Sequence, residues 1–378
     1  MRTRSLALCI AAAACTVGMG LSGATAPARA GGPADVLERQ ALRSVLAPAS
    51  LMLAVTRAGE RLVAAGERGI VLLSDDHGQS WRQASVPVGV TLTSVFFASR
   101  TQGWAVGHGG VILHSGDGGE TWSKQLDGVR AAQLVLAAAQ TAVADAGAAG
   151  AGAPTGERAA RRLRDAERLV ADGPDKPLLD VYFANEREGL VVGAYGLAFS
   201  TGDSGRHWHP VDDRLVNPEG RHLYRIRAVG SDLYVAGEQG ALYHSRDGGR
   251  HFTGIKTLYP GSYFGMVTGP REDLLIFGMR GNLYRTQDAG LNWQQISSGR
   301  TAALTDGMRA NDGAILIVDG DGGLMRSIDD GKTFRNIPTG FAGPINSIAQ
   351  AADGSLVLAG LRGVARLPLD KIRTGVEP

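Results

Sequence analysis

The sequence predicts an all-β fold built from repeats, and three observations support that prediction. An eight-residue motif, Ser/Thr-x-Asp-x-Gly-x-x-Trp/Phe, occurs six times, with aspartates at Asp76, Asp117, Asp203, Asp247, Asp288 and Asp329. A Gly-x-x-Gly step precedes each motif, and a seventh step, at Gly360 and Gly363, has no motif after it. Successive motifs are 41 or 44 residues apart, except for one spacing of 86. Repeats of this length are typical of solenoids, propellers and arrays.

Each repeat contains four short strand signals. In the third repeat, residues 179–183, 189–193 and 196–200 are apolar runs bounded by glycine or polar residues, and a fourth strand begins at Trp208. Short strands separated by Gly and Asp turns are typical of all-β proteins. Four strands per repeat and seven repeats predict a seven-bladed β-propeller of four-stranded blades.

The eight-residue motif, called the Asp box below, has the chemistry of a tight turn. Its aspartate can accept backbone N–H bonds, and its glycine can adopt a positive φ. Its aromatic residue opens the outermost strand and buries a large apolar area between blades. The six aspartates are therefore interpreted as structural residues, and neither as catalytic acids nor as calcium ligands.

The last repeat lacks its fourth strand. It supplies residues 345–349, 356–360 and 364–367, and the chain ends soon afterwards. An unpaired outer edge would invite pairing with other chains. Residues 42–46, near the mature N-terminus, are predicted to supply the missing strand and close the ring. The alternative is that this segment forms a short helix.

The long spacing indicates an insertion, residues 128–177, between blades 2 and 3. Residues 129–146 are Ala-rich and predict a helix, residues 147–156 are turn-rich, and residues 157–172 predict a second helix. The sequence therefore predicts an inserted helical hairpin. The second helix carries five arginines, which form either a binding surface or an ordinary solvated face balanced by acidic residues.

Candidate partner-binding residues converge on one face. Turns alternate between the two faces of a four-stranded blade, so the Asp boxes share one face, and the Gly-x-x-Gly turns and the inserted hairpin share the other. Arginines gathered around a channel suit a carboxylate, a phosphate or an acidic peptide; the alternative is an ordinary surface. The candidates come from the turns, from the first strand of blade 4 and from the hairpin: Arg68, His108, Arg280, Arg362, Arg225, Arg227, Arg161 and Arg164.

The N-terminus predicts an exported protein. Residues 1–30 have a basic start, an apolar stretch and an Ala-x-Ala site, which are typical of a signal peptide. A membrane anchor, or lipidation at Cys15, are the alternatives. Both cysteines lie in this segment, and the remaining 31–378 propeller has 36 basic and 37 acidic residues. We therefore expect no disulfide and no nucleic-acid partner in a periplasmic, soluble or membrane-peripheral protein.

No catalytic constellation stands out. The eight histidines are scattered, so no metal-ligand spacing appears. Sialidases also carry Asp boxes, but residues 224–227 lack the Pro of the sialidase Arg-Ile-Pro segment, and residues 334–338 interrupt it. We expect no enzyme activity, no metal and no cofactor. The alternative function is a sialidase-like or other carbohydrate-binding or carbohydrate-hydrolysing propeller.

Residues 103–112, Gly-Trp-Ala-Val-Gly-His-Gly-Gly-Val-Ile, run into an Asp box, and the same string recurs at residues 189–201. This pattern resembles the photosystem II stability/assembly factor family of seven-bladed propellers. The resemblance implies a non-catalytic factor, monomeric by itself, that binds a membrane protein during assembly through arginines on one face. The helical insertion departs from the photosynthetic pattern. Bacterial relatives accompany resistance–nodulation–division exporters, so the resemblance implies a photosystem-like or a transporter client.

Overall fold

The computed structural model describes residues 35–148, 153–211, 214–269 and 273–374. The predicted signal peptide, residues 1–30, lies outside the described residues. The described residues contain 27 strands in seven antiparallel sheets, six of four strands and one of three. Sequence order is kept from the inner strand to the outer strand of each sheet. The predicted all-β, seven-bladed propeller is confirmed.

The first three blades flank the insertion. Blade 1 contains β1 (Met52–Ala58), β2 (Arg61–Gly66), β3 (Val71–Ser74) and β4 (Arg82–Gln83). Blade 2 contains β5 (Leu92–Phe97), β6 (Gly103–Gly107), β7 (Ile112–Ser115) and β8 (Ser123–Leu126). After helices α1 (Gly128–Ala148) and α2 (Ala153–Asp172), blade 3 contains β9 (Leu178–Phe183), β10 (Gly189–Gly193), β11 (Ala198–Thr201) and β12 (His209–Pro210).

The other four blades follow without insertions of this size. Blade 4 contains β13 (Leu223–Val229), β14 (Asp232–Gly237), β15 (Leu242–Ser245) and β16 (Thr253–Gly254). Blade 5 contains β17 (Tyr263–Thr268), β18 (Leu274–Gly278), β19 (Leu283–Thr286) and β20 (Gln294–Gln295). Blade 6 contains β21 (Leu304–Arg309), β22 (Ile315–Asp319), β23 (Leu324–Ser327) and β24 (Arg335–Ile337). Blade 7 contains β25 (Ile345–Gln350), β26 (Leu356–Gly360) and β27 (Gly363–Leu367), and the short helix α3 (Leu369–Thr374) follows.

The core lies between neighbouring blades. The second strands are almost wholly buried and read as continuous apolar runs, because both faces of each sheet are covered. Between blades 2 and 3, the ring of Trp104 stacks on Phe183 with centroids 3.5 Å apart. Aromatic and branched side chains of this kind hold the blades together through apolar burial.

The Asp boxes are turn-forming structures, as the sequence predicts. In each box the Ser or Thr hydroxyl donates to the aspartate Oδ1 over 2.7–2.9 Å. The fifth-position glycines have φ between 80° and 91°. The structure adds a seventh position whose side chain bonds to Oδ2 over 2.5–2.8 Å. That position is occupied by Ser80, Thr121, His207, His251, Asn292 and Thr333.

Residues 42–46 do not form the outer strand of blade 7, so that prediction is wrong. The side chain of Gln83 in β4 bonds to both Leu42 and Ser44, which holds the segment against blade 1. Ala47–Ala49 then forms one turn of 3-10 helix that packs on β27, with the carbonyl of Pro48 against Gly363. Among the described residues β27 therefore has a strand neighbour on one side only.

The helical hairpin is present, and its helices are longer than predicted. Asp127 accepts the Arg130 N–H over 3.1 Å and so caps the start of α1. Small buried residues such as Ala139 and Ala166 let the helices approach closely. In α2, Ala159 is buried and Val170 is exposed. No helix in the described ranges is both long and apolar enough to cross a bilayer.

Candidate partner-binding face

The innermost strand of every blade carries a β-bulge at the same point. Pairing with the second strand shifts by one residue there in all seven blades. A bulge re-aims the side chains that follow it. The residues directly after the bulges form what we call the inner ring: Ala54, Ser94, Asp180, Arg225, Gly265, Asp306 and Ser347.

The polar members of the inner ring join neighbouring blades. Asp180 accepts a bond from the Ser94 hydroxyl of blade 2 over 2.7 Å and from the Ile226 N–H of blade 4 over 2.8 Å. Asp306 accepts the Ser347 hydroxyl over 2.8 Å and the Ile348 N–H over 3.2 Å in the same manner. Both carboxylates are buried. The sequence pattern did not reveal these carboxylates, because the position after the bulge holds different residue types in the seven blades.

Arg225 and Arg227 lie together in the channel, between these two carboxylates. Arg227 approaches Asp306 to 3.2 Å and Asp180 to 3.7 Å, and Arg225 approaches Asp306 to 3.4 Å. Burial lowers the pKa of Arg227, and the charge of Arg225 lowers it further; both side chains stay charged because arginine titrates far above neutral pH. The channel arginines are therefore already matched by two acidic groups.

A second group of predicted arginines is exposed on the Gly-x-x-Gly face. Arg280, Arg362 and Arg68 lie at the third position of the turns in blades 5, 7 and 1, and we call them the basic arc. Arg280 and Arg362 form no ion pair within the described residues, and Arg68 lies 4.0 Å from Glu67. Arg280 and Arg362 are therefore available to an anion, and the Arg68 side chain is 82% exposed beside its long contact with Glu67.

Two of the three arginines of the basic arc occupy strained backbone positions. Arg68 and Arg280 have φ of 53° and 58°, in the left-handed region. The same turn position holds glycine in blades 2 and 6, at Gly109 and Gly322. A side chain in this region costs about 1–2 kcal/mol relative to glycine. The fold therefore tolerates a less stable choice of residue at these turns.

Beside the arc runs a row of aromatic side chains, which the sequence analysis did not single out. Tyr195 contacts His222 with ring centroids 4.9 Å apart, and Tyr224 contacts Phe264 at 5.2 Å. His222 joins the two pairs at 6.2 Å from Tyr224. The Tyr195 N–H donates to His222 Nδ1 over 2.8 Å, and burial raises the pKa of Tyr224. The row runs from an exposed Tyr195 inward to the inner strands of blades 4 and 5.

The remaining candidates lie around the hairpin. Arg161 in α2 donates to the Pro218 carbonyl over 3.0 Å, so it ties the hairpin to the link between blades 3 and 4. Arg164 is exposed on the same helix. His108 is exposed on the turn of blade 2, where the adjoining Gly110 packs against Gly128 at the base of α1.

The Asp-box face also carries exposed arginines, among them Arg206, Arg246 and Arg250. The box carboxylates are occupied by their own turns. Hydrogen bonds from Ser80, from His251 and from Thr333 are the largest cause that holds the pKa of Asp76, Asp247 and Asp329 below the usual range. Strand-three cations bond to acidic residues of the nearby turns, as Arg326 does to Asp312 over 2.7 Å. No group of three or more metal-ligating side chains occurs within the described ranges.

Comparison with known families gives one match that covers most of the chain. The family model described as "Photosynthesis system II assembly factor YCF48" matches residues 73–137 and 167–337 and leaves out the middle of the hairpin. A curated relative, the photosystem II assembly lipoprotein Ycf48 of Synechococcus sp. (strain CC9902), is 35% identical over 85 residues. That match covers 22% of this chain and 26% of the relative.

Solved structures agree on the fold. A YCF48 structure bound to a D1 peptide has a TM-score of 0.61 at 15% identity and covers 85% of this chain and 93% of its own. YCF48 from Cyanidioschyzon merolae has a TM-score of 0.61 at 15% identity, covering 88% and 99%. A streptogramin B lyase scores 0.62 at 12% identity, covering 87% and 96%. Likenesses at these identities show the propeller fold alone.

Proposed function

The chain belongs to the family of the photosystem II assembly factor YCF48, and from that premise we propose that it is a non-catalytic assembly factor for a membrane-protein complex. We propose further that it binds its client on the Gly-x-x-Gly face. The client class is a photosystem-like membrane protein, because the matched family model and the curated relative both carry photosystem names. Nothing in those names supports an exporter as the client.

The basic arc is the observation that supports this face most strongly. Arg68, Arg280 and Arg362 are exposed, and the first two sit in backbone positions where glycine would be more stable. Tyr195 and Gln239 share this backbone conformation at the same turn position, so the support comes from the exposed charges of the arginines. Guanidinium groups bind carboxylates with two parallel hydrogen bonds. The arc therefore fits acidic side chains or a terminal carboxylate of a client segment.

The aromatic row defines the rest of the binding segment. An extended polypeptide that meets the basic arc with its acidic groups can lay apolar side chains along Tyr195 and His222 toward the channel mouth. The channel arginines, Arg225 and Arg227, contribute to the shape of the channel mouth and little net charge, since Asp180 and Asp306 already neutralise them. Arg161, Arg164 and His108 lie at the hairpin side of the same face and complete the proposed surface.

The location proposed for this activity is the envelope side of a membrane. The leader typical of export and the printed name of the curated relative, a lipoprotein, both support an exported, periplasmic and membrane-peripheral protein. We propose that the protein is monomeric until it meets its client.

Co-isolation from solubilised membranes tests the face. An Arg68→Gln/Arg280→Gln/Arg362→Gln variant is expected to recover at least about tenfold less client, since each buried charge-assisted bond contributes about 1.5–3 kcal/mol. The matched control is Arg206→Gln/Arg246→Gln/Arg250→Gln, three exposed arginines of the Asp-box face. Equal client recovery by both triple variants and the unmodified protein would show that the basic arc is an ordinary surface.

The carbohydrate-binding alternative is not favoured. The structure places the Asp-box carboxylates in turns, and the family match names an assembly factor. A glycan array separates the two functions directly. Clear glycan binding together with no membrane protein in the co-isolation would support the alternative and contradict the assembly factor.

A further inference from the structure

Residues 36–50, called the strap, cross the edge of the propeller from blade 2 to blade 7. The Val36 carbonyl accepts the Gly89 N–H over 2.7 Å, and the Ala41 N–H donates to Val86 over 3.0 Å. Leu37 is buried in the core between blades 1 and 2. The strap is therefore fixed to the body by backbone bonds and by an inserted side chain, and its outward side chains have defined positions.

The strap exposes a concentrated apolar group. Leu42 is 72% exposed, Val45 is 95% exposed and Leu46 is 70% exposed. Single exposed apolar side chains are ordinary, but a group of this kind on a fixed segment marks an interaction site. At this exposure the three side chains protrude from the protein surface. Protruding side chains can insert into a lipid surface, which needs no shaped pocket to receive them.

Basic residues accompany the apolar group. Arg39 and Arg43 are exposed and form no ion pair within the described residues, whereas the neighbouring Glu38 is neutralised by Lys124 at 2.5 Å. The strap also touches two turns of the basic arc. Ala41 packs against Gly69 beside Arg68, and Pro48 packs against Gly363 beside Arg362. Lys124 is shared between Glu38 and Asp127, so Arg39 and Arg43 are the exposed charges of the strap that have no ion pair within the described residues, and they lie near the arc.

We propose that the strap docks the protein on an anionic bilayer surface. Leu42, Val45 and Leu46 enter the boundary between headgroups and acyl chains, and Arg39 and Arg43 contact lipid phosphates. Apolar side chains flanked by arginines bind membranes in this way, through buried apolar area plus attraction to anionic lipids. Because the strap adjoins Arg68 and Arg362, docking would hold the basic arc close to client segments that emerge from the membrane.

Vesicle co-sedimentation of the chain that begins at Gly31 tests the proposal without a lipid tail or signal peptide. We expect binding to phosphatidylglycerol vesicles and much weaker binding to phosphatidylcholine vesicles. Leu42→Ser/Val45→Ser/Leu46→Ser is expected to lower partition into phosphatidylglycerol vesicles by at least about tenfold. Arg39→Gln/Arg43→Gln is also expected to lower it by at least about tenfold.

The matched control is Leu291→Ser/Ile328→Ser, which removes comparably exposed apolar groups from the Asp-box face and should leave partition unchanged. Thermal melting of each variant confirms that these surface changes leave the fold intact. No binding by the unmodified chain, or equal binding by the strap variants, would overturn the proposal. Strap variants that keep vesicle binding but lose client co-isolation would assign the strap to a protein partner instead. Client co-isolation in detergent should be unaffected by the strap variants. A failure of the strap proposal can therefore be distinguished from a failure of the proposed client-binding face.

Discussion

Aspartates stabilise this propeller in two different ways, depending on whether they lie in an Asp-box turn or on an innermost strand. A box aspartate such as Asp76 bonds within its own turn, to Ser74, Gln79 and Ser80. An inner-ring aspartate such as Asp306 bonds to the neighbouring blade and to the channel arginines. The first kind shapes a turn, and the second joins blades.

The box aspartates predict a specific loss of stability in acid. The pKa values of Asp76, Asp203, Asp247 and Asp329 are all held below the usual 3.8 by hydrogen bonds within their turns. A lowered folded-state pKa gives stability that is fully present above the unfolded pKa and is lost as pH falls through the folded value. The free energy of unfolding should therefore be insensitive to these groups at neutral pH and decrease steadily below about pH 4.

Urea unfolding at a series of pH values measures this dependence. Asp329→Asn should be less stable than the unmodified protein at neutral pH and lose less stability on acidification. An unchanged acid slope in that variant would show that the box carboxylates do not carry the pH dependence.

The channel network predicts a larger effect from one inner-ring residue. Asp306→Asn removes a buried counter-charge from Arg225 and Arg227, and should lower the free energy of unfolding by about 3 kcal/mol. Asp312→Asn, at the more exposed pair with Arg326, should cost at most about 1 kcal/mol. Adding Arg227→Met to Asp306→Asn should recover part of the lost free energy of unfolding. Equal losses in Asp306→Asn and Asp312→Asn would contradict a buried network.

Sequence reasoning predicted the box turns, because Asp, Gly and an aromatic residue at fixed spacing leave few other turn geometries. It did not predict the inner ring, because Ser94, Asp180 and Arg225 share a position and not a residue type. It placed Arg225 and Arg227 on an inner strand correctly. The carboxylates that face them come from blades 3 and 6. Arg227 and Asp306, for example, are 79 residues apart in the sequence, and only the closed ring brings them together.

At the scale of elements, the helical hairpin behaves as an addition to a complete propeller. Gly128 and Pro174 lie so close that a Cβ on Gly128 would be 2.8 Å from the Pro174 Cα. The two ends of the insertion therefore meet at a distance that a single peptide link can span. The family model also skips part of the hairpin, matching residues up to 137 and again from 167.

Excision of residues 129–173, which joins Gly128 to Pro174, should leave a cooperatively folded propeller. The melting temperature should fall by a few degrees, because Ala131, Leu134 and Val135 no longer cover the seam between blades 2 and 3. Far-ultraviolet circular dichroism should lose its helical contribution and keep its β-sheet signal. Loss of cooperative melting would show that the propeller needs the hairpin to fold. The control is removal of residues 189–201 inside blade 3, which should unfold the protein.

The strap shows where element prediction failed. Periodicity and the missing seventh box indicate that a strand is absent from blade 7, but they do not say whether another segment replaces it. Pro48 has no N–H to give to a strand ladder, and the side chain of Gln83 captures Leu42 and Ser44 at blade 1. These contacts depend on tertiary proximity across blades, which local sequence does not encode.

At the scale of the whole molecule, the repeats divide the surface into two unlike faces. The Asp-box face is made of turns whose box carboxylates are bonded within the turn. The Gly-x-x-Gly face carries the basic arc, the aromatic row, the hairpin and part of the strap's contacts. The spacing of the motifs predicts this division, because alternating turns must fall on alternating faces. The central claim is that the Gly-x-x-Gly face meets a membrane-protein client.

Site-specific photo-crosslinking in intact membranes tests that claim most directly. A photoreactive amino acid is placed at Gln239 or Arg362 on the Gly-x-x-Gly face, and at Leu291 or Ile328 on the Asp-box face. All four positions are exposed, so the probes differ in the face that they report. We predict crosslinks to an integral membrane protein from Gln239 and Arg362 and none from the other two. Crosslinks to such a protein from the Asp-box positions alone would contradict the claim.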